Sequence, residues 1–231
     1  MKVDYIIVGL GLAGLAFIEE LIAAKKTFVV FEDDSQTSSL VAGGVYNPVI
    51  LKRYTPVWNA KEQLKIALPF YQSLEKKLSI KVDEKFVIKK AFKSIEDQNN
   101  WFSATDKPSL SGFLNPVLDS QNYPGVMADF DFGNVNEAGR IDTKKLVQSY
   151  RQYLKDMGSI YFESFQYDGI DFHVDHLTYH HIIANKIVFC EGHRLTKNPF
   201  FNYLPLMPTK GELITVKLEG LKVQELIKSN I

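Results

Sequence analysis

Three glycines and a carboxylate near the start of this chain stand at a spacing that suits one kind of ligand. Gly9, Gly11 and Gly14 spell Gly-Leu-Gly-Leu-Ala-Gly, and Glu32 follows at the distance where ribose-binding acids are found. A nucleotide pyrophosphate is an anion and needs N–H donors at close range. Gly9 permits a tight turn, Gly11 lets the backbone approach the phosphates, and Gly14 lets a helix pack against the strand before it. The free N–H groups of a helix that starts at Leu12 and Ala13, with its dipole, favour the anion. Glu32, with Asp33 beside it, is placed to accept from a ribose 2′-hydroxyl. A carboxylate there repels a 2′-phosphate, which argues against NADP.

These residues work only if strand, turn, helix and strand hold them. The sequence supplies all four: an apolar run at Val3–Val8, a helical pattern from Leu12 to Lys25, and a second apolar run at Phe28–Phe31 that ends at Glu32. A polar loop follows, Asp33-Asp34-Ser35-Gln36-Thr37-Ser38-Ser39. Then come Val41-Ala42-Gly43-Gly44-Val45-Tyr46-Asn47-Pro48. Paired glycines beside small residues let backbone approach a flat or bulky group, and they equally suit a surface turn before Pro48.

Other reactive side chains carry less. His176, His180 and His181 lie near Asp175 on an expected hairpin. Adjacent strand residues point to opposite faces, so these histidines are read as a solvated hairpin and no metal site is expected. Cys190 ends an apolar run and is read as a small core residue. Tyr46, Arg53, Tyr54 and His193 are candidates for a substrate pocket and equally for surface positions.

Composition narrows the class. The chain has 231 residues, with 27 Lys+Arg against 27 Asp+Glu and a formal net charge of zero, so no nucleic-acid or polybasic membrane surface is expected. No apolar run reaches membrane-spanning length. The apolar N-terminus is accounted for by the strand and helix, and is read as mature protein and not a signal peptide. One cysteine excludes an internal disulfide and suits a reducing, cytoplasmic setting.

Further along, Trp58–Ser79 reads as a helix that Pro69 should kink or divide. Residues 81–136 hold short β-like runs at Lys85–Ile88 and Gly125–Phe132, and a short helix at Ile95–Ala104. Asp142 caps a strong helix with an apolar stripe at Leu146, Val147, Tyr150, Tyr153, Leu154 and Met157, and Gly158 stops it. Strands are expected at Ile160–Phe165, Gly169–Val174, Leu177–Ile183, Lys186–Cys190 and Glu212–Leu218, with a final helix over Val223–Ile231. The fold class is therefore α/β. A Rossmann-like dinucleotide-binding domain, residues 1–80 plus 140–200, carries strands 3–8, 27–31 and 186–190 as neighbours. A mainly β (α+β) substrate domain, residues 81–139 plus 201–231, is inserted into it with a separate sheet.

Taken together, four motifs in this order resemble FAD-dependent oxidoreductases of the D-amino-acid oxidase and glycine oxidase type. They are Gly9–Gly14 with Glu32; Ser39-Leu-Val-Ala-Gly-Gly-Val45; Gly139-Arg-Ile-Asp142; and Lys186-Ile-Val-Phe-Cys-Glu-Gly192. Pro208-Thr-Lys-Gly211 resembles a fifth. The resemblance implies FAD, with Ser39, Ala42, Gly43, Gly44 and Val45 along the flavin, Phe165 toward the adenine, and Cys190, Glu191 and Gly192 near the phosphates and flavin. It implies oxidation of a small amine or amino acid by hydride transfer to flavin N5. This chain departs from the family at Glu191, His193 and Arg194, where a small residue and an aromatic are usual. Family members also continue past position 231, and the arginine that holds the substrate carboxylate usually lies in that later part. The chain alone is therefore expected to fold, to hold FAD weakly and not to turn over amines. The exposed edge of a strand at 212–218 is expected to favour homo-oligomers. The competing readings are an NAD-dependent Rossmann oxidoreductase and a nucleotide-binding module without turnover.

Overall fold

The computed structural model describes the chain except positions 36, 122, 127, 222, 224, 230 and 231. In chain order its elements are β1 (Lys2–Val8), α1 (Leu12–Ala23), β2 (Phe28–Phe31), α2 (Ser38–Val41), β3 (Val45–Tyr46), β4 (Val49–Ile50), β5 (Thr55–Pro56), α3 (Ala60–Leu78), β6 (Asp83–Ala91) and α4 (Ile95–Thr105). They continue with β7 (Phe132–Ile141), α5 (Thr143–Asp156), β8 (Ile160–Tyr161), β9 (Ile170–Phe172), β10 (Leu177–Tyr179), β11 (Ile182–Phe189) and β12 (Leu226–Lys228). The chain forms two compact units. One comprises Met1–Ala42 with Thr143–Leu213, the other Gly43–Asp142 with the described residues from Ile214 on.

The first unit is built on a six-stranded sheet in the order β8-β2-β1-β11-β10-β9. β1 pairs in parallel with β2 on one side and β11 on the other, as expected of a Rossmann-like sheet. Ile6, Ile7, Val29, Val30 and Phe31 are all buried, so both faces of these strands are covered, as a parallel sheet requires. Leu15, Ile18 and Leu21 of α1 and Leu146, Val147, Tyr150 and Leu154 of α5 are buried too. The Tyr150 hydroxyl donates to Glu19 at 2.5 Å and ties the two helices together. The end of α5 follows from local chemistry. Gly158 takes a φ of 64°, its N–H donates to Lys155 O, and Ser159 N–H donates to Leu154 O. This paired bonding satisfies carbonyls the helix leaves open.

The second unit holds a four-stranded sheet in the order β12-β6-β7-β3. β6 and β7 are antiparallel, with an irregularity between Phe86 and Ile88. Trp101 of α4, fully buried, packs with Tyr54, Ile88, Phe92 and Val135. Within this core lies a charge. Lys90 is fully buried and donates to Asp97 at 2.9 Å and to Ala91 O at 2.6 Å, and the Tyr54 hydroxyl donates to the same carboxylate at 2.5 Å.

Several expectations change. The boundary expected at residue 80 falls at 42, because Val45 and Tyr46 pair with Arg140 and Gly139 of β7, and Ala60 and Leu64 of α3 pack in the core of the second unit. Residues 201–213 belong to the first unit, and 140–142 to the second. Pro69 does not divide α3, which runs unbroken through it. The strand expected at Gly125–Phe132 begins where that run ends, since β7 pairs with β6 over Phe132–Ile141 (position 127 lies outside the described residues). The strand at Ile160–Phe165 is only two residues long. His180 and His181 form a turn, and Ile182 starts β11. Glu212–Leu218 forms no strand. Its alternation is real, but Ile214, Val216 and Leu218 are exposed and no backbone partner lies beside them among the described residues. The described part of Val223–Ile231 is strand and not helix: β12 pairs in parallel with Ile88–Lys90, which half-buries Leu226 and Ile227. Positions 224, 230 and 231 of that expected helix lie outside the described residues, as does Gln36 of the polar loop.

Candidate functional site

The glycine turn and the acid meet in the first unit as their spacing required. Gly9 leaves β1 with a φ of 94°, a region that side chains disfavour. A Cβ on Gly9 would come within 2.6 Å of Cys190 O, and one on Gly14 within 2.3 Å of Gly9 O. Cys190 itself extends the β11 pairing, its N–H donating to Val8 O at 2.7 Å. Strand, turn and helix are therefore in direct backbone contact, and only glycine fits at either position. Gly11 forms the N-cap of α1, and Leu12 and Ala13 open its first turn. A helix leaves its first amides without intrahelical partners. Leu12 N–H meets Ser39 Oγ at 3.2 Å, which brings Ser39, expected near the flavin, onto the glycine turn.

Glu32 is buried, 3% exposed, yet charged groups surround it. Its Oε2 accepts from Leu10 N–H at 2.6 Å. Its Oε1 accepts from Arg151 Nη2 at 2.7 Å and from Asp34 N–H at 3.2 Å. Asp33, the next residue, accepts from Arg194 Nη1 at 3.0 Å and from Ser35. Burial acts to raise the Asp33 carboxyl. Hydrogen bonds from the Ser35 side chain and backbone, Ser164 and Arg194 outweigh it and hold the group down at about 2. A lowered carboxyl stabilises the folded state above its unfolded value and loses that contribution as pH falls through the folded one. In Asp33→Asn, the acid-induced loss of stability between about pH 4 and pH 2 should be shallower than in the parent, as measured by fluorescence-monitored acid unfolding.

Val8, Gly9, Phe31, Glu32, Asp33, Glu163, Ser164, Phe165, Tyr167, Glu191 and Arg194 line an open cleft. Phe165 is buried in its wall, stacked on Tyr179 at 4.2 Å. Glu191 is buried as well: it accepts from the Tyr167 hydroxyl and, at 2.7 Å, from Asn198 Nδ2. Burial first, and then this bond to a carboxylate, raise the Tyr167 phenol. Gly192 opens a short 3-10 turn over Gly192–Lys197, which carries Arg194 to the cleft. The cleft brings together glycine-only backbone at the turn, a carboxylate on the residue that follows β2, and aromatic walls.

The expected flavin-side residues divide. Ser39 and Ala42 lie in the first unit, where Ala42 O accepts from Thr143 Oγ1 at 3.4 Å. Gly43, Gly44 and Val45 lie in the second, where Gly44 O accepts from Ile141 N–H and Val45 pairs with Arg140. Of the substrate-pocket candidates, Tyr54 is core and Tyr46 donates to Asp83 at 2.9 Å, while Arg53 and His193 are exposed. Arg151, Tyr167 and Asn198 were not foreseen. Arg151 sits four residues after Val147, at the edge of the α5 apolar stripe, and that position was its only local signal. Among the described residues no cluster of three His, Cys, Asp or Glu could hold a metal, and no helix is long and apolar enough to cross a membrane.

Comparison with known proteins identifies the family and the fold. The family model described as FAD dependent oxidoreductase (DAO) matches residues 4–229. Among solved structures, glycine oxidase from Geobacillus kaustophilus superposes with a TM-score of 0.63 at 14% identity, over 89% of this chain and 59% of that one. L-proline dehydrogenase from P. horikoshii gives 0.63 at 9% identity, over 89% and 57%. L-amino acid deaminase from Proteus vulgaris gives 0.60 at 16% identity, over 84% and 49%. The chain thus spans about half the length of the structures it matches. With a Rossmann-like sheet, a glycine turn and a buried acid at the end of β2, and a family match over nearly its whole length, this chain belongs to the DAO family of FAD dependent oxidoreductases.

Proposed function

We propose that this chain holds FAD as part of an oxidoreductase that acts on a small amine or amino acid. The observation that carries the reading is the convergence of the Gly9–Gly14 turn and buried Glu32 on one cleft. The first amides of α1 and its dipole would hold the pyrophosphate. The free acceptor direction on Glu32 Oε2 would take a ribose hydroxyl, with Asp33 beside it. Phe165 would wall the adenine, and Cys190, Glu191 and Gly192 would follow the cofactor from the end of β11. Ser39 and Ala42 would border the flavin, where small residues let peptide groups lie near a flat ring. When bound, the flavin supplies a hydride acceptor for the C–H bond beside the substrate nitrogen. The residues of this chain would bind and orient the cofactor.

Family membership favours flavin over nicotinamide. The substrate class is supported by the names of the neighbours, which act on glycine, L-proline and L-amino acids. The reading is tested by adding FAD to purified chain and following flavin absorbance and fluorescence through gel filtration. Co-elution of flavin supports it, and flavin that separates completely from the protein refutes it. Glu32→Ala should weaken FAD by roughly 1–3 kcal/mol, the range for losing a hydrogen bond to a charged acceptor. An unchanged dissociation constant in that variant would remove Glu32 from the ribose site.

A further inference from the structure

We propose that Arg151 is a positioning residue for the ribose-binding carboxylate, and that Glu32 and Asp34 together keep its guanidinium from serving a 2′-phosphate. The proposal rests on the dinucleotide reading above and adds a determinant of nucleotide selectivity that lies outside the glycine motif.

The argument begins with acceptor capacity. A carboxylate offers about four lone-pair directions, two on each oxygen. On Glu32, Oε1 is filled by Arg151 Nη2 and Asp34 N–H, and among the described residues Oε2 holds only Leu10 N–H. One direction remains, on the oxygen already bonded to the glycine turn. Without Arg151 the carboxylate could rotate and share Leu10 N–H between its oxygens. With Arg151 it cannot, so the free direction stays fixed beside the turn. Arg151 is itself held in place: its side chain is 14% exposed, and the preceding residue, Tyr150, is fully buried and bonded to Glu19.

Charge supplies the second half. The guanidinium faces two carboxylates, Glu32 through Nη2 and Asp34 through Nη1, and its buried Nε takes no partner among the described residues. One cation between two anions leaves net negative charge where a 2′-phosphate would sit. An arginine near this point is also the group that accommodates a 2′-phosphate in dinucleotide folds that accept one. Here it is present but occupied by acids. Removing the Glu32 carboxylate would free Nη2 for a phosphate oxygen and leave one cation against one anion.

The test compares ADP-ribose with 2′-phospho-ADP-ribose by isothermal titration in the full chain. The parent should prefer ADP-ribose by about tenfold or more, the size of one charge-assisted bond and its repulsive counterpart. Arg151→Met should weaken ADP-ribose about tenfold, with partial rescue in Arg151→Lys. Asp34→Asn, a change on a side chain that is 66% exposed, should improve the phosphorylated ligand relative to ADP-ribose without threatening the fold. Glu32→Ala should lose ADP-ribose and gain the phosphorylated ligand, and the double variant Glu32→Ala/Arg151→Met should lose that gain. A plain structural ion pair would move stability but not this ratio. Equal binding of 2′-phospho-ADP-ribose by the Glu32→Ala single and double variants overturns the proposal, as does equal binding of ADP-ribose by the parent and a folded Arg151→Met. A parent chain that binds neither ADP-ribose nor FAD overturns the dinucleotide reading, and this proposal with it.

Discussion

Asp97→Ala is expected to destabilise the second unit by about 3–5 kcal/mol, the range for removing one partner of a buried ion pair. Asp97 accepts from Lys90 at 2.9 Å and from the Tyr54 hydroxyl at 2.5 Å, and Lys90 is fully buried. Burial pushes the Asp97 carboxyl up, but the bonds from Tyr54 and Lys90 outweigh it and hold the group low, so it is a carboxylate at neutral pH. Alanine would leave an ammonium in the core with, among the described residues, only Ala91 O and the Phe92 ring, 5.6 Å away, to face it. The Tyr54 hydroxyl would lose its acceptor at the same time. Urea unfolding followed through Trp101 fluorescence should show a lower midpoint. Lys90→Met/Asp97→Leu should be much milder, because an apolar pair leaves no charge behind. If the single variant unfolds within about 1 kcal/mol of the parent, the buried charge is not the stake it is taken to be.

Gly14→Val should be the most damaging single change in the first unit. The Cβ alone would lie 2.3 Å from Gly9 O and 3.3 Å from Gly9 C, both backbone atoms that cannot swing aside. Overpacking of this kind costs about 1–3 kcal/mol and occasionally more. Here relief would require α1 to move off the turn, so FAD affinity and the thermal transition should fall together. Gly112→Ala is the control, since a Cβ there meets nothing within 4 Å. It should leave both readouts unchanged. A Gly14→Val chain that melts like the parent and still retains flavin would mean that the helix does not press on the turn as described.

What the sequence by itself determined is local. Gly9, Gly11, Gly14 and Glu32 were legible because the turn, the helix start and the strand end are each set by neighbours a few residues apart, and glycine fits those positions for steric reasons that need no knowledge of the rest. The central strands were legible because each carries a run of apolar, mostly β-branched or aromatic residues, as in Ile6–Val8, Phe28–Phe31 and Ile187–Phe189. Tertiary structure alone decided the rest. Arg151 and Glu32 are 119 residues apart, and Arg194 and Asp33 are 161 apart. Neither pair leaves a local trace, because an ion pair depends on where two elements dock and not on what precedes either residue. The two misread segments near the C-terminal end make the same point. Ile214, Val216 and Leu218 alternate as a strand should, yet pair with no other segment among the described residues, while Leu226–Lys228 carries little pattern and is a strand because β6 lies beside it. A strand is completed by hydrogen bonds to another segment, so its partner decides whether it exists.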